Sequence, residues 1–268
     1  MIKTKKDGLI MKIGVLGAGH MGSAMIRGLA NKYDVNDIFV NGHRVSPRLL
    51  ALQKEIGFQM MENNDFSAMD MLIVATPAPV TIDALINVTV GDDTIIVSAV
   101  QGVSAKGIKN ISPKNSVICM IPNIPVAVNA GCIAVEKGGF ATPEATEKAN
   151  EVLGSLGTLI PVKSKDLGIA GTVGGCGPAF VDVFLSALGD AAVQNGLDRE
   201  TAYKVAASMV TGSAKMALDT GLNPSDLKDQ VTSPGGSTIK GVVALDANGF
   251  RNAVNQAVNK ANGTYKDE

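Results

Sequence analysis

Two glycine-rich breaks, one near each end of the chain, carry the groups best suited to chemistry. Late in the chain, Val231-Thr232-Ser233-Pro234-Gly235-Gly236-Ser237-Thr238-Ile239 separates two helix-like runs. The proline and paired glycines stop the first run, and hydroxyl residues lead into the second. Backbone N–H groups at a helix start have no intrahelical acceptor, so Gly236, Ser237 and Thr238 offer donors to a small anion such as a carboxylate. Thr238 adds a hydroxyl that can donate to, or accept from, a second group. The same residues also describe an ordinary capped helix in which Ser233 or Ser237 satisfies the backbone, and the pattern leaves both readings open. Near the other end, Gly17-Ala18-Gly19-His20-Met21-Gly22 fits the spacing GxGxxG after an apolar run and before a helical one. In that context Gly17 permits a tight turn, Gly19 lets a pyrophosphate approach the backbone, and Gly22 lets helix and strand pack closely. The competing reading is a tight turn without a ligand.

The elements that must position these residues alternate. Lys12-Ile13-Gly14-Val15-Leu16 is a short apolar run bounded by glycine, as expected of a buried parallel strand. Further strands are expected over 38–40, 58–61, 71–75, 94–98 and 117–120, with helices over 23–29, 47–56 and 80–87. Strands alternating with helices imply an α/β fold, a Rossmann-type doubly wound parallel sheet. After about residue 165 the texture becomes almost wholly helical. Pro178 is expected to open a helix that ends at Asn195-Gly196, and Asp198 to cap the next, which runs to Gly221. Asn223-Pro224 caps a short helix, and others follow Gly236 and Gly249. The expected division is a dinucleotide-binding domain over 11–165 and a helical substrate-binding and dimerisation domain over 166–268. Residues 1–10 read as an extension before the first strand. The helical part holds more apolar positions than a bundle of its size buries alone, which points to a dimer interface.

Composition excludes several classes. A chain of 268 residues can bury a sizeable core, and a formal charge of −1 with scattered basic residues gives no footprint for nucleic acid or an anionic membrane. No uninterrupted apolar run approaches the length of a membrane span. Cys119, Cys132 and Cys176 form no CxxC pair and are odd in number, so a reduced, cytoplasmic setting is expected. Neither His20 nor His43 has a metal-ligand partner at suitable spacing, and no metal site is expected.

NAD-specific sites place an acid at the end of the second strand to hold the ribose hydroxyls. Here the strand runs into Asn41-Gly42-His43-Arg44-Val45-Ser46, without one. Asn41, Arg44 and Ser46 can instead hold a 2′-phosphate, with Arg44 supplying charge, which favours NADP; the alternative is a solvated loop.

From Lys12 to about Asn262 the chain resembles pyrroline-5-carboxylate reductases. The helical half carries the resemblance most specifically, through Gly177-Pro178-Ala179-Phe180, Ala214-Lys215-Met216, the stretch from Val231 to Ile239, and Gly249-Phe250-Arg251. Gly17 to Gly22 and Pro122-Asn123 with Pro125 fit as well. The resemblance implies a Rossmann domain followed by a helical domain that forms a homodimer or a higher assembly built from dimers. It implies hydride transfer from NADPH or NADH to the C=N carbon of an imino-acid substrate, giving L-proline; the residues after the second strand make NADPH preferred over NADH. Ser233, Gly236, Ser237 and Thr238 are then substrate-binding, with Thr238 at the ring nitrogen as the catalytic residue. The cofactor-binding set is Gly17, Ala18, Gly19, His20, Met21, Gly22, Asn41, Arg44, Asn64, Thr76, Pro77, Ala99 and Val100.

The chain departs from the family pattern at several positions. Thr76 stands where a lysine is customary, Cys119 replaces an arginine, Ile124 a threonine, Gly174 and Cys176 serines, and Gly168 an acidic residue. Thr238 and the glycine loops are untouched. The departures keep two alternatives in view: a catalytically weak NADP-binding paralogue with a regulatory role, and a reductase of another cyclic imine.

Overall fold

The computed structural model describes residues 11–42, 46–61 and 63–263. These form two compact units, the first ending at Cys176 and the second starting at Gly177. In the first unit ten strands are present: β1 (Ile13–Leu16), β2 (Ile38–Asn41), β3 (Gln59–Met60), β4 (Asp65–Phe66), β5 (Met71–Val74), β6 (Thr89–Val90), β7 (Ile95–Ser98), β8 (Val117–Ile121), β9 (Gly131–Glu136) and β10 (Gly157–Val162). Five helices lie among them: α1 (His20–Ala30), α2 (Pro47–Ile56), α3 (Thr81–Ile86), α4 (Ala105–Ile111) and α5 (Pro143–Gly154).

Eight strands make one sheet in the order β10-β9-β8-β7-β5-β1-β2-β3, while β4 and β6 pair separately. The pairs from β3 through β8 are parallel, as the alternation implied. The chain steps from β1 to β2 on one side and later returns to β5 on the other, which opens a crevice above the carboxyl ends of β1 and β5. All four residues of β1, of β5 and of β7 are buried, because helices cover both faces. Ile13, Val15, Ile73 and Val97 join one core layer with α1 and α5, and Leu16, Leu72 and Ile96 join the other with α3 and α4. Gly14 makes room for the second layer, since a Cβ there would lie 2.6 Å from a ring carbon of buried Phe66.

Beyond β8 the structure departs from a purely parallel reading. β9 runs antiparallel to β8, with Met120 opposite Val135, and β10 is the parallel edge strand. Neither strand is buried at every position as the central ones are. β10 contains Pro161, which an edge strand tolerates and a central strand does not.

The second unit is helical, with α7 (Arg199–Thr220), α8 (Pro224–Gln230), α9 (Ser237–Ala247) and α10 (Phe250–Ala261). Its start signals act as the residue types dictate. Asp198 accepts from Thr201 N at 2.9 Å and Asn223 from Ser225 N at 2.9 Å, while Gly221 closes α7 in the left-handed conformation at φ 65°. Phe184 and Phe250 meet with ring centroids 5.9 Å apart, and Gly189 brings the backbone against Tyr203, where a Cβ would lie 2.5 Å from the ring.

Helix α6 (Leu167–Gln194) corrects one expectation: Pro178 lies inside it and does not start it. A proline in a helix interior removes the bond to the carbonyl four residues earlier, here Gly174. That carbonyl instead accepts from Asn123 Nδ2 at 3.0 Å, from the loop after β8. A donor 51 positions away cannot be read from local sequence. The continuous helix also bears on the expectation of no membrane span, which rested on the lack of a long uninterrupted apolar run. Ser164–Gln194, with a mean hydropathy of 1.4 in its most apolar window, is long and apolar enough to span a membrane by length and composition alone.

Candidate active site

The dinucleotide cradle is built at the carboxyl end of β1. Gly17 takes φ 100°, and a Cβ there would lie 2.8 Å from the carbonyl oxygen of Ala75. Gly22 sits so close beneath the turn that a Cβ would fall 2.0 Å from Gly17 O. Gly19 differs: a Cβ would meet nothing within 4 Å, so its missing side chain leaves open space on the outer side of the loop. Gly19 is also the N-cap of α1, with no side chain capping it and no acidic residue in the first turn. The first amides of α1 therefore face that space without a side-chain cap among the described residues, beside the positive end of the helix dipole. This arrangement fits a pyrophosphate. Ser23 braces the turn by donating to Ala18 O at 3.1 Å.

The described members of the remaining expected cofactor set, Asn41, Asn64, Thr76, Pro77, Ala99 and Val100, follow or brace the strands around the same crevice. Asn41 closes β2, and its carbonyl accepts from Gly17 N at 2.8 Å. Its side-chain amide donates to Asn63 O and to Asn64 Oδ1, both at 3.1 Å, and Asn64 donates onward to Asn87 O. Thr76 and Pro77 follow β5, and Ala99 and Val100 follow β7, with Ala99 N bonded to Val74 O at 2.8 Å. Thr76 Oγ1 lies 2.9 Å from Thr81 Oγ1, and Thr81 Oγ1 donates to Pro77 O at 3.1 Å. Since Thr81 has one hydroxyl proton, Thr76 must be the donor of that pair, which leaves its own oxygen able to accept. His20 is exposed on the cradle and Met21 half-buried. His43 and Arg44 lie outside the described residues.

Ser98 is a residue the sequence did not single out. It ends β7, is buried, and its hydroxyl has no hydrogen-bond partner among the described residues. In register it lies between Val74 and Cys119, on the sheet face lined by apolar side chains. Leaving such a group unpaired costs about 1–3 kcal/mol, and the visible signal was a hydroxyl closing an otherwise apolar strand.

Of the departures from the family pattern, Cys119 is the most fully accounted for. It is buried on β8, with Sγ 3.7 Å from Val103 O. Burial first, and the nearby carboxylate of Glu136 second, push its thiol up to about 12, so it stays neutral and unreactive. Gly168 lies in the first turn of α6, where its carbonyl accepts from Thr172, and Ile124 is exposed. Nothing in the structure explains the cysteine at 176. Among the described residues no group of three or more His, Cys, Asp or Glu side chains is placed to hold a metal ion.

In the second unit, Ser233 and Gly236 bound one tight turn, and Ser237 and Thr238 open α9 directly after it. Gly236 N donates to Ser233 O at 3.0 Å, with Pro234 and Gly235 between them and Gly235 at φ 71°. Proline followed by a left-handed glycine is the chemistry of a type II turn. Gly236 then caps α9 by backbone alone, with no side-chain cap. The capped-helix reading of Ser233 and Ser237 is therefore not realised, and the N–H groups of the first turn have no side-chain acceptor.

A doubly wound sheet with this glycine cradle at its crevice, followed by a helical domain, defines a nicotinamide-dinucleotide oxidoreductase. Residues 12–102 match the family described as NADP oxidoreductase coenzyme F420-dependent, and 164–267 match pyrroline-5-carboxylate reductase dimerisation. A pyrroline-5-carboxylate reductase of Methanosarcina acetivorans is 33% identical over 96% of this chain and 97% of its own. The Escherichia coli enzyme of that name is 35% identical over 93% and 95%. Among solved structures, a Plasmodium falciparum pyrroline carboxylate reductase with NADP bound superposes with a TM-score of 0.79 at 27% identity, covering 95% of this chain and 96% of that one. The chain belongs to the pyrroline-5-carboxylate reductase family.

Proposed function

We propose that this chain reduces 1-pyrroline-5-carboxylate to L-proline, the last step of proline biosynthesis, with NADPH as the preferred donor. The observation that carries the reading is the uncapped start of α9 in a chain of this family. There the amides of Gly236, Ser237 and Thr238 hold the substrate carboxylate, and Ser233 shapes the turn. Thr238 Oγ1 accepts a hydrogen bond from the protonated ring nitrogen. The cofactor, when bound, supplies a hydride to the C=N carbon. The protonated imine is already electrophilic and keeps its proton as the ring amine, so the residues need only orient the reactants and exclude water. A neutral hydroxyl suits that task.

The cradle from Gly17 to Gly22 holds the pyrophosphate, and Asn41, Asn64, Thr76, Pro77, Ala99 and Val100 line the rest of the cofactor site. Arg44 and the absence of an acid after β2 support the choice of NADPH, since a carboxylate there would repel a 2′-phosphate. The active species is a homodimer or a larger assembly of dimers, and a cytoplasmic location accords with three unpaired cysteines.

Purified protein given 1-pyrroline-5-carboxylate should oxidise NADPH faster than NADH and form proline. Thr238→Ala should lower kcat/KM by about 10–100-fold, the worth of one hydrogen bond to a charged group. Absence of proline with the unaltered protein would overturn the reading, and full activity in Thr238→Ala would remove that residue from its role.

A further inference from the structure

The chain leaving β5 runs directly against the glycine cradle. Ala75 N donates to Leu16 O at 2.8 Å, and a Cβ on Gly17 would lie 2.8 Å from Ala75 O and 3.0 Å from Thr76 N. Thr76 therefore stands beside the first glycine of the turn that fits a pyrophosphate. The segment after it folds back on itself. Val80 N donates to Pro77 O at 3.1 Å, and Thr81 Oγ1 donates to the same carbonyl at 3.1 Å. Thr81 is fully buried and Thr76 half-buried, with their hydroxyl oxygens 2.9 Å apart. Proton count sets the direction of that bond. Thr81 has one hydroxyl proton and gives it to Pro77 O, so Thr76 donates to Thr81. The reverse direction would set Thr81 Oγ1 against Pro77 O at 3.1 Å with no proton between the two oxygens.

We propose that Thr81 is a positioning residue for the dinucleotide: by taking the hydroxyl proton of Thr76 it makes Thr76 an acceptor, which receives a ribose hydroxyl of the cofactor. The chemistry of the ligand selects the partner. Beside the cradle a dinucleotide presents a pyrophosphate, whose oxygens only accept at neutral pH, and riboses, whose hydroxyls donate. Thr76 with its proton already committed can pair only with the second. A threonine with a free proton could serve either group, so Thr81 adds a discrimination that Thr76 alone lacks. Both residues belong to the unit that carries the cradle, and their role rests on that cradle being the dinucleotide site, as proposed above.

A double-mutant cycle read in cofactor binding tests it, with the full chain as wild type, Thr76→Val, Thr81→Val and the double variant, and NADPH and NADH as probes. Valine keeps the branched shape at each position and removes the hydroxyl. Thr76→Val should weaken NADPH binding about fivefold, within the worth of one neutral hydrogen bond. Thr81→Val should weaken it about as much while Thr76 is present, and by less than about twofold in the Thr76→Val background. Thr81→Ser keeps the hydroxyl and should bind within about twofold of wild type, whereas a role in packing alone would give serine a loss at least as large as valine's. Each loss should be the same for NADH, because ribose hydroxyls are common to both cofactors. An equal loss from Thr81→Val in both backgrounds, no loss with Thr76 in place, or a loss confined to NADPH would overturn the proposal. The last result would assign the contact to the 2′-phosphate. If Thr81→Val does not fold, the variants at 76 decide. A fivefold loss in Thr76→Val that Thr76→Ser recovers supports the proposal, and unaltered binding in Thr76→Val overturns it. A wild type that binds NADPH but forms no proline defeats the functional reading alone, and the titrations still decide the role of Thr81. One that binds neither cofactor defeats the proposal as well.

Discussion

Three glycines of the cradle share a residue type and differ in what their missing side chains do. Gly17 needs a left-handed φ, Gly22 needs contact with Gly17 O, and Gly19 needs neither. A methyl group at 19 meets no protein atom, so its effect must fall on the ligand. Gly19→Ala should leave the thermal midpoint of the apo protein within about 2 °C of wild type. It should weaken NADPH binding by about tenfold or more, which is about 1.4 kcal/mol. Fluorescence titration against a melting curve checks both halves, and a large loss of stability would show that Gly19 is structural. These positions were legible because GxGxxG is a local signal. Ser98 and Asn123 were not, because each owes its meaning to partners, or their absence, across the sheet.

Elements were legible in proportion to how fully they are buried. The central strands β1, β5 and β7 are buried at every position and were legible, whereas β9 and β10 carry exposed or half-buried positions and were not. The packing of α1 was equally hidden. Gly28 on α1 faces the 3-10 turn Ile124–Val128, where a Cβ would lie 2.1 Å from Val126 O. Asn129, at φ 59°, donates to Gly28 O and to Ser155 O, both at 2.9 Å, and locks the contact. Alanine at 28 is better for an isolated helix, yet here it forces backbone apart. Gly28→Ala should therefore destabilise by about 2–3 kcal/mol in urea unfolding, against the helix-propensity trend. A neutral or stabilising result would mean that α1 shifts freely.

At the scale of the whole molecule, the second unit is the part that cannot be complete as a single chain. Val183 is 72% exposed and Leu218 70%, and only Ala202 and Ala206 of α7 are buried. Apolar surface on this scale calls for a partner, and the dimerisation match supplies a second copy. Val183→Glu places a charge on that surface and should shift the protein toward monomer in sedimentation or size exclusion, while Kd for NADPH stays within about twofold because the cradle belongs to the first unit. Unchanged association would place Val183 outside the interface.

The sequence by itself determined the doubly wound sheet, the glycine cradle, the helical second half and the turn before Thr238. Each of these rests on short-range chemistry: buried apolar runs, backbone freedom at glycine, and proline stops. Only the tertiary structure decided that β9 turns antiparallel, that Ser98 has no partner among the described residues, and that α6 runs unbroken through Pro178. Those outcomes depend on which distant groups satisfy or abandon a buried polar atom, and local pattern carries no record of that. Pro178 shows the difference most clearly. Read alone it ends or begins a helix, and with Asn123 beside Gly174 it lies in the middle of one.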